Sequence, residues 1–199
     1  MNICYESDIR HIFLTGSLQV GKSTLVNHVL SALPGVTLAG FRTMTSKSPE
    51  CSVHILGLNQ TLDECCPDNC VGIRSRNGQG PIGFPQIFDA VGCDLLLGAD
   101  AAQLIVMDEI GKMEADAVVF RSHIRKLLDG NTPVIGVVRQ EGNTSLQTMI
   151  RSHPAVKLIT VTQENRDVLR EPLVAEIRSL VIRRLGPAGT IVFHKGEGD

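Results

Sequence analysis

The sequence predicts an α/β fold, a mostly parallel sheet flanked by helices, and three observations lead there. Strand-like and helix-like segments alternate along most of the 199 residues, the mark of parallel strands joined by helical crossovers. Residues 16–23 read Gly-Ser-Leu-Gln-Val-Gly-Lys-Ser, set between an apolar run and a helical pattern. A second apolar run, from Gln103 to Met107, ends in the two acids Asp108 and Glu109.

The elements follow in chain order. The apolar run from Ile9 to Thr15 reads as a buried strand, and Thr24 to Leu30 as a helix with an apolar stripe. Pro34-Gly35 breaks the chain before a second strand, Val36 to Thr43. Ser52 to Leu58 alternates weakly, as a hairpin partner of its neighbour would. Residues 59–87 are rich in Asn, Gly, Pro and Cys and lack a helical period. They are expected to form a loop-rich insertion with short strands, Val71 to Arg74 among them. A short helix is expected over Ile87 to Leu97, a central strand over Gln103 to Asp108, and a helix over Ala115 to Leu128 that stops at Gly130-Asn131-Thr132-Pro133. Val134 to Val138 is another buried strand, followed by a short helix from Ser145 to Ser152 and a strand from Leu158 to Thr162. The last helix spans about 167–185, with Leu169, Leu173, Ile177, Leu180 and Val181 on one face. Pro172 conflicts with its first turns and implies an N-terminal kink or a late start. Gly186-Pro187 ends it, and residues 188–199 are expected to form an edge strand or a disordered tail. The whole chain, 1–199, is expected to be one domain.

Composition narrows the function. Hydrophobic residues make up 43% and charged residues 20%, ordinary values for a globular protein. A net charge of −2 leaves no electrostatic footprint for nucleic acid or an anionic membrane. With no Trp and one Tyr, stacking platforms for single strands are few. No apolar stretch nears membrane-spanning length, and Met1 to Glu6 has no signal-peptide pattern, so a cytoplasmic address is expected by elimination. Six cysteines occur, three of them in Cys65-Cys66-Pro67-Asp68-Asn69-Cys70. Free thiols are expected in a reducing compartment. A metal site drawing on Cys51, His54, Cys65 or Cys70 is the sharper alternative, but no second Cys-x-x-Cys pair supports it, and no ligand is assigned there.

The glycine-rich segment carries the chemistry. Strand, loop and helix together aim backbone N–H groups and a helix N-terminus at one point, which makes an anion site. Gly16 and Gly21 let the backbone turn and approach phosphate, Lys22 reaches the β- and γ-phosphates, and the Ser23 hydroxyl suits magnesium. The expected cradle is Gly16, Ser17, Leu18, Gln19, Val20, Gly21, Lys22, Ser23 and Thr24, and the expected ligand a nucleoside polyphosphate with Mg2+.

A phosphate loop binds but does not by itself hydrolyse or transfer. In a parallel sheet, ligands sit beyond the carboxyl ends of the strands. Asp108 is therefore expected on the loop's side as the magnesium-side acid. Glu109 follows as the group that orients or deprotonates an attacking water. Arg139, emerging after the strand Val134 to Val138, is a candidate for a cis-acting arginine that absorbs transition-state charge; a solvated surface role is its plain alternative.

The segment Asp108-Glu109-Ile110-Gly111-Lys112-Met113-Glu114 resembles the signature of the small nucleoside-triphosphatase family of archaea, bacteria and animals. Val161-Thr162-Gln163-Glu164-Asn165-Arg166 is similar to that family's Val-Thr-x-x-Asn-Arg, and Gly40-Phe41 is a weaker third match. The resemblance covers residues 9–185. It implies a RecA-like phosphate-loop fold with an added catalytic glutamate, and slow, magnesium-dependent hydrolysis of ATP, GTP and other nucleoside triphosphates with little base preference. It also implies that Asn165 and Arg166 approach the base or sugar. Lys112 and Glu114 match the signature without a settled role, packing or ion pairing included. Three departures stand out. Gln19 occupies a position where the family carries a further glycine, Arg42 or Lys47 must stand in for the family's basic residues after Gly40-Phe41, and residues 59–87 fit the family poorly.

Two other readings remain open at this level. A small-molecule kinase would use the insertion, with Arg74, Arg76 and Lys47 nearby, as an acceptor pocket. A nucleotide-dependent switch would show weak turnover stimulated by a partner's arginine.

Overall fold

The computed structural model describes residues 8–47, 51–74 and 80–185. The expected tail from 188 to 199 and Arg76 lie outside them. The chain runs through β1 (His11–Thr15), α1 (Lys22–Ser31), β2 (Leu38–Thr45), β3 (Ser52–Gly57), β4 (Cys70–Ile73), β5 (Ile82–Gly83) and α2 (Pro85–Ile87). It continues through β6 (Leu104–Ile110), α3 (Val118–Asp129), β7 (Val134–Val138), α4 (Ser145–Ser152), β8 (Val156–Thr160) and α5 (Arg170–Leu185). The strands form one sheet in the order β5-β4-β3-β2-β6-β7-β1-β8. From β2 to β8 every pairing is parallel, while β3, β4 and β5 add on antiparallel. One strand, β7, therefore separates β1, which feeds the phosphate loop, from β6, which carries the acids.

Alternation along each strand explains the layers. Ile12 and Leu14 of β1, Leu104 and Val106 of β6, and Ile135 and Val137 of β7 pack with Leu25, Val26, Ile177 and Val181 of α1 and α5. Phe13, Ile105, Met107, Val134 and Val138 point the other way, onto Phe120, Ile124 and Leu128 of α3. Phe13 and Gly136 are register partners, and a Cβ on Gly136 would collide with the edge of the Phe13 ring. The glycine is what leaves room for the aromatic ring beside β7.

Several boundaries differ from those read in the sequence, each for a physical reason. The strand β8 starts and ends two residues earlier than expected; Val161 N–H still donates to Thr15 O at 2.8 Å, but at Thr162 the chain turns, its N–H donating to Asn165 Oδ1 at 2.8 Å and its Oγ1 accepting from Asn165 N at 3.3 Å. The helix α5 takes the late start that Pro172 implied, at Arg170, so the proline falls in the first turn, where backbone N–H groups have no intrahelical partner and proline costs little. The strand β6 runs past Asp108 to Ile110 with a register shift against β7. The expected helix over Ile87 to Leu97 begins at Pro85 and widens into a π-turn over Phe88–Gly92. Its Asp89 side chain accepts from Phe120 N at the start of α3, at 2.9 Å. No helix among the described residues is long and apolar enough to cross a membrane.

His11 supplies a test of this packing. Its ring is fully buried at the foot of β1 and bonds Leu128 O through Nε2 at 2.9 Å. Burial is the main reason its pKa falls from 6.5 to about 4; nearby Arg10 and His153 push the same way, and the Leu128 carbonyl opposes them. The unfolded chain thus takes up the proton first, and the stability His11 contributes above pH 6.5 is lost as pH falls toward 4. Asp108 and Glu114 act in the opposite sense, because their native pKa values are raised. The measurement is therefore a difference between proteins. Between pH 7 and pH 5 the urea midpoint of wild type should drop relative to that of His11→Gln. Parallel pH dependence in the two would remove His11 from this role.

Candidate active site

The phosphate loop joins the end of β1 to α1. Its backbone is left-handed at Gly16 (φ 136°), Gln19 (φ 60°) and Gly21 (φ 109°). At Gly16 a Cβ would collide with Val161 O of the β8–α5 connection, so this glycine lets two ligand-side loops close on each other. Gln19 holds the left-handed conformation with a side chain, which answers the departure noted at that position. Lys22, at 6% exposure, folds back along the loop and donates from Nζ to Gly16 O at 2.9 Å and Ser17 O at 2.7 Å. Burial lowers its pKa, and Arg139 adds to the effect against the pull of Glu109 and Asp108.

Across β7, Asp108 reaches the same place. Ser23 Oγ donates to Asp108 Oδ1 at 3.0 Å, joining residues 85 apart in sequence. Asp108 is pushed up to about 6, first by burial, then by the neighbouring Glu109 charge; the Ser23 bond, Arg42 and Lys22 pull it down. Arg42 is the register partner of Asp108 on β2 and so stands closer to the site than Lys47, which is exposed at the far end of that strand.

Glu109 turns to the next space. Its Oε1 accepts from Arg139 Nε at 2.5 Å, and its backbone N–H donates to Thr43 Oγ1 at 3.3 Å. Arg139 is held by its own N–H to Ile110 O at 2.8 Å, with its aliphatic stem against Gly111. Both side chains line a cavity of about 390 Å3 with Gly16, Ser17, Leu18 and Lys22. They also line a smaller one of about 50 Å3 on the far side, with Thr43, Arg74, Met113 and Glu114 among its walls. Glu109 and Arg139 are thus shared walls of the larger space beside the phosphate loop and of a smaller, water-sized one.

Glu114 is 3% exposed and accepts a short hydrogen bond from Gly111 N, which closes the Gly111-to-Glu114 turn. Burial pushes it to about 7, with Glu109 adding to the rise while backbone hydrogen bonds and Arg139 oppose it. Glu114 braces its own turn and lines the small cavity with Glu109.

Residues 11–174 match the model of a protein family described as NTPase. The chain belongs to the NTPase family. It is 40% identical over 180 residues to the nucleoside-triphosphatase THEP1 of Thermofilum pendens, an alignment covering 87% of this chain and 98% of that one. To the cancer-related nucleoside-triphosphatase of Homo sapiens it is 29% identical over 188 residues, covering 85% and 97%. The crystal structure of THEP1 from the hyperthermophile Aquifex aeolicus aligns with a TM-score of 0.67 at 26% identity, over 84% of this chain and 98% of that one. Membership makes the chain a hydrolase of nucleoside triphosphates.

In this family member the two residues of the β8–α5 connection take different positions. Asn165 is occupied within its own loop, accepting from Thr162 N at 2.8 Å and donating to Thr160 O at 3.0 Å. Arg166 lies beside Gly21, its Cδ 3.6 Å from where a Cβ would stand, and with Thr24, Leu25 and Arg170 lines a shallow groove. Cys65, Cys66 and Cys70 line a separate pocket, away from the phosphate loop. Among the described residues no group of three or more His, Cys, Asp or Glu side chains has metal-binding geometry. His54 is engaged at both nitrogens, by Asn69 at 2.8 Å and Ser52 at 2.9 Å. Sequence reasoning missed that Thr43 supports Glu109 and that Glu114, buried, lines the small cavity with it. The available signals were that Glu114 belongs to the signature and that Thr43 closely follows Gly40-Phe41, and neither reveals depth.

Proposed function

We propose that the chain hydrolyses nucleoside 5′-triphosphates to diphosphate and phosphate in a magnesium-dependent reaction with little base preference. The observation that carries this reading is the meeting of Ser23 and Asp108 at 3.0 Å below a phosphate loop, with Glu109 in the wall of the adjoining cavity. A hydroxyl and a half-buried carboxylate are hard oxygen donors, and the pair fits Mg2+. Ser23 would hold the ion directly and Asp108 directly or through water; when bound, it would neutralise charge on the β- and γ-phosphates.

The protein's own groups account for the rest. Loop N–H groups and Lys22 bind the triphosphate and stabilise charge that develops on the leaving diphosphate. Glu109 orients a water toward the γ-phosphorus. The water oxygen forms the new P–O bond, the bond to the β–γ bridging oxygen breaks, and the water's proton passes to the Glu109 carboxylate. Arg139, on the same cavity wall, supplies a cation in cis. The 50 Å3 space beyond Glu109 has room for one or two waters. Membership of a family of nucleoside-triphosphate hydrolases favours water over a kinase acceptor. Little base preference follows from Asn165, whose amide is spent on its own loop, and from Arg166, which offers a stacking face to any base.

Phosphate release from ATP, GTP, CTP, UTP and dATP tests the reading. Rates should agree within about tenfold across the bases, fall to background with EDTA, and stay unchanged when nucleosides or nucleoside monophosphates are added as acceptors. Phosphorylated acceptor at the expense of free phosphate would replace the reading with the kinase.

A further inference from the structure

We infer that Arg74 is a positioning residue for Glu109, delivered to the site by the antiparallel strands of the insertion, which holds the Glu109 carboxylate when Arg139 turns to the γ-phosphate. This deepens the hydrolytic reading and rests on it.

Arg139 has two tasks that conflict. With its guanidinium bonded to Glu109 at 2.5 Å, it neutralises the group assigned to orient water. It also faces the phosphate cavity, where a triphosphate would compete for it with more negative charge than a single carboxylate. Once Arg139 turns, Glu109 has lost its ion-pair partner in a site only 19% open at that side chain. A half-buried carboxylate without a partner is costly and poorly oriented.

Arg74 answers that need. It lines the same small cavity as Glu109 and Arg139, and its Nε is buried with no hydrogen-bond partner among the described residues. The fold aims it there. Gly72 and Arg74 share one face of the β4 line because side chains alternate along a strand. A Cβ on Gly72 would stand 2.8 Å from Met113 Sδ, so that face looks onto the Gly111-to-Glu114 turn. Gly83 of β5 is pressed against the Met113 backbone in the same way. The two glycines seat β4 and β5 on the turn, and Arg74 N donates to Cys51 O at 3.1 Å to fix the strand's end. The other described charges near Glu109 are Lys22, Arg42, Lys112, Asp108, Glu114 and Glu141. Lys22 is committed to the loop carbonyls, Arg42 pairs in register with Asp108, Lys112 is exposed with its stem along Gly142, and the acids repel. Arg74 is therefore the cation that can take over.

The test is steady-state hydrolysis of Mg·ATP by Arg74→Gln and Arg74→Lys, with binding of a non-hydrolysable triphosphate measured in parallel. Arg74→Gln should lower kcat about tenfold or more, as loss of nucleophile orientation does, with KM and affinity within twofold. Arg74→Lys, a point charge in place of a planar fork, should recover part of kcat. In a Glu109→Gln background, Arg74→Gln should add no further loss, because it acts through that carboxylate. Wild-type kcat in folded Arg74→Gln overturns the assignment, as does an equal further loss in the Glu109→Gln background. If Arg74→Gln does not fold, wild-type kcat in Arg74→Lys overturns it. The two readings fail separately: Arg74 variants with wild-type kcat beside an inactive Glu109→Gln remove only Arg74, whereas an active Glu109→Gln removes the hydrolytic assignment of Glu109 as well.

Discussion

Glu109→Gln is expected to lower kcat for Mg·ATP hydrolysis by about a hundredfold or more, the usual contribution of a positioned general base, while leaving nucleotide affinity intact or tighter. Glutamine keeps an oxygen that accepts from Arg139 Nε, where the native pair is 2.5 Å apart, so the wall shared by the two cavities should survive. What disappears is the basicity and the negative charge. Loss of that charge removes repulsion toward a γ-phosphate in the cavity Glu109 shares with Lys22 and the loop. The variant should therefore accumulate as a stalled nucleotide complex, visible as tight binding by calorimetry with no phosphate released. Wild-type turnover in a folded variant would assign the water to another group.

How far this site is legible in the sequence depends on whether its residues act alone or in pairs. The phosphate loop is local: glycines, lysine and serine at fixed spacing between a strand and a helix define it before any coordinates. Asp108 is nearly so, because a strand's carboxyl end in a parallel sheet can face only one way. Pairings across the sheet are different. Ser23 with Asp108 and Glu109 with Arg139 join residues 85 and 30 positions apart, and only the strand order, with β7 between β1 and β6, brings them together. Arg74 was the least legible. Its segment has no period, and its place depends on two glycines that admit Met113 between short antiparallel strands. The misplaced end of β8 has a plain cause: apolar residues such as Val161 belong to the core without belonging to a strand. Burial, which periodicity reports, is then mistaken for extension.

Lys22→Ala is expected to abolish measurable hydrolysis and to weaken triphosphate binding, while the free protein remains folded. Removing one preorganised charged donor from developing phosphate charge costs about a hundred- to a thousandfold in rate, and here the donor also contributes to ground-state binding. The free protein should tolerate the change because the lysine is under-solvated there. It is 6% exposed and, among the described residues, bonded to the Gly16 and Ser17 carbonyls, and burial lowers its pKa, so its charge is a cost to the native state without nucleotide. A triphosphate would repay that cost. The observable is a difference in thermal stability. Wild type should melt several degrees higher with saturating Mg·ATP, since a ligand that binds only the native state stabilises it by mass action. Lys22→Ala should melt near the wild-type temperature without nucleotide and gain little from it. A variant that unfolds without ligand would make Lys22 a structural tie of the loop, and one that keeps the full nucleotide-dependent rise would mean that the ammonium does not meet the phosphates.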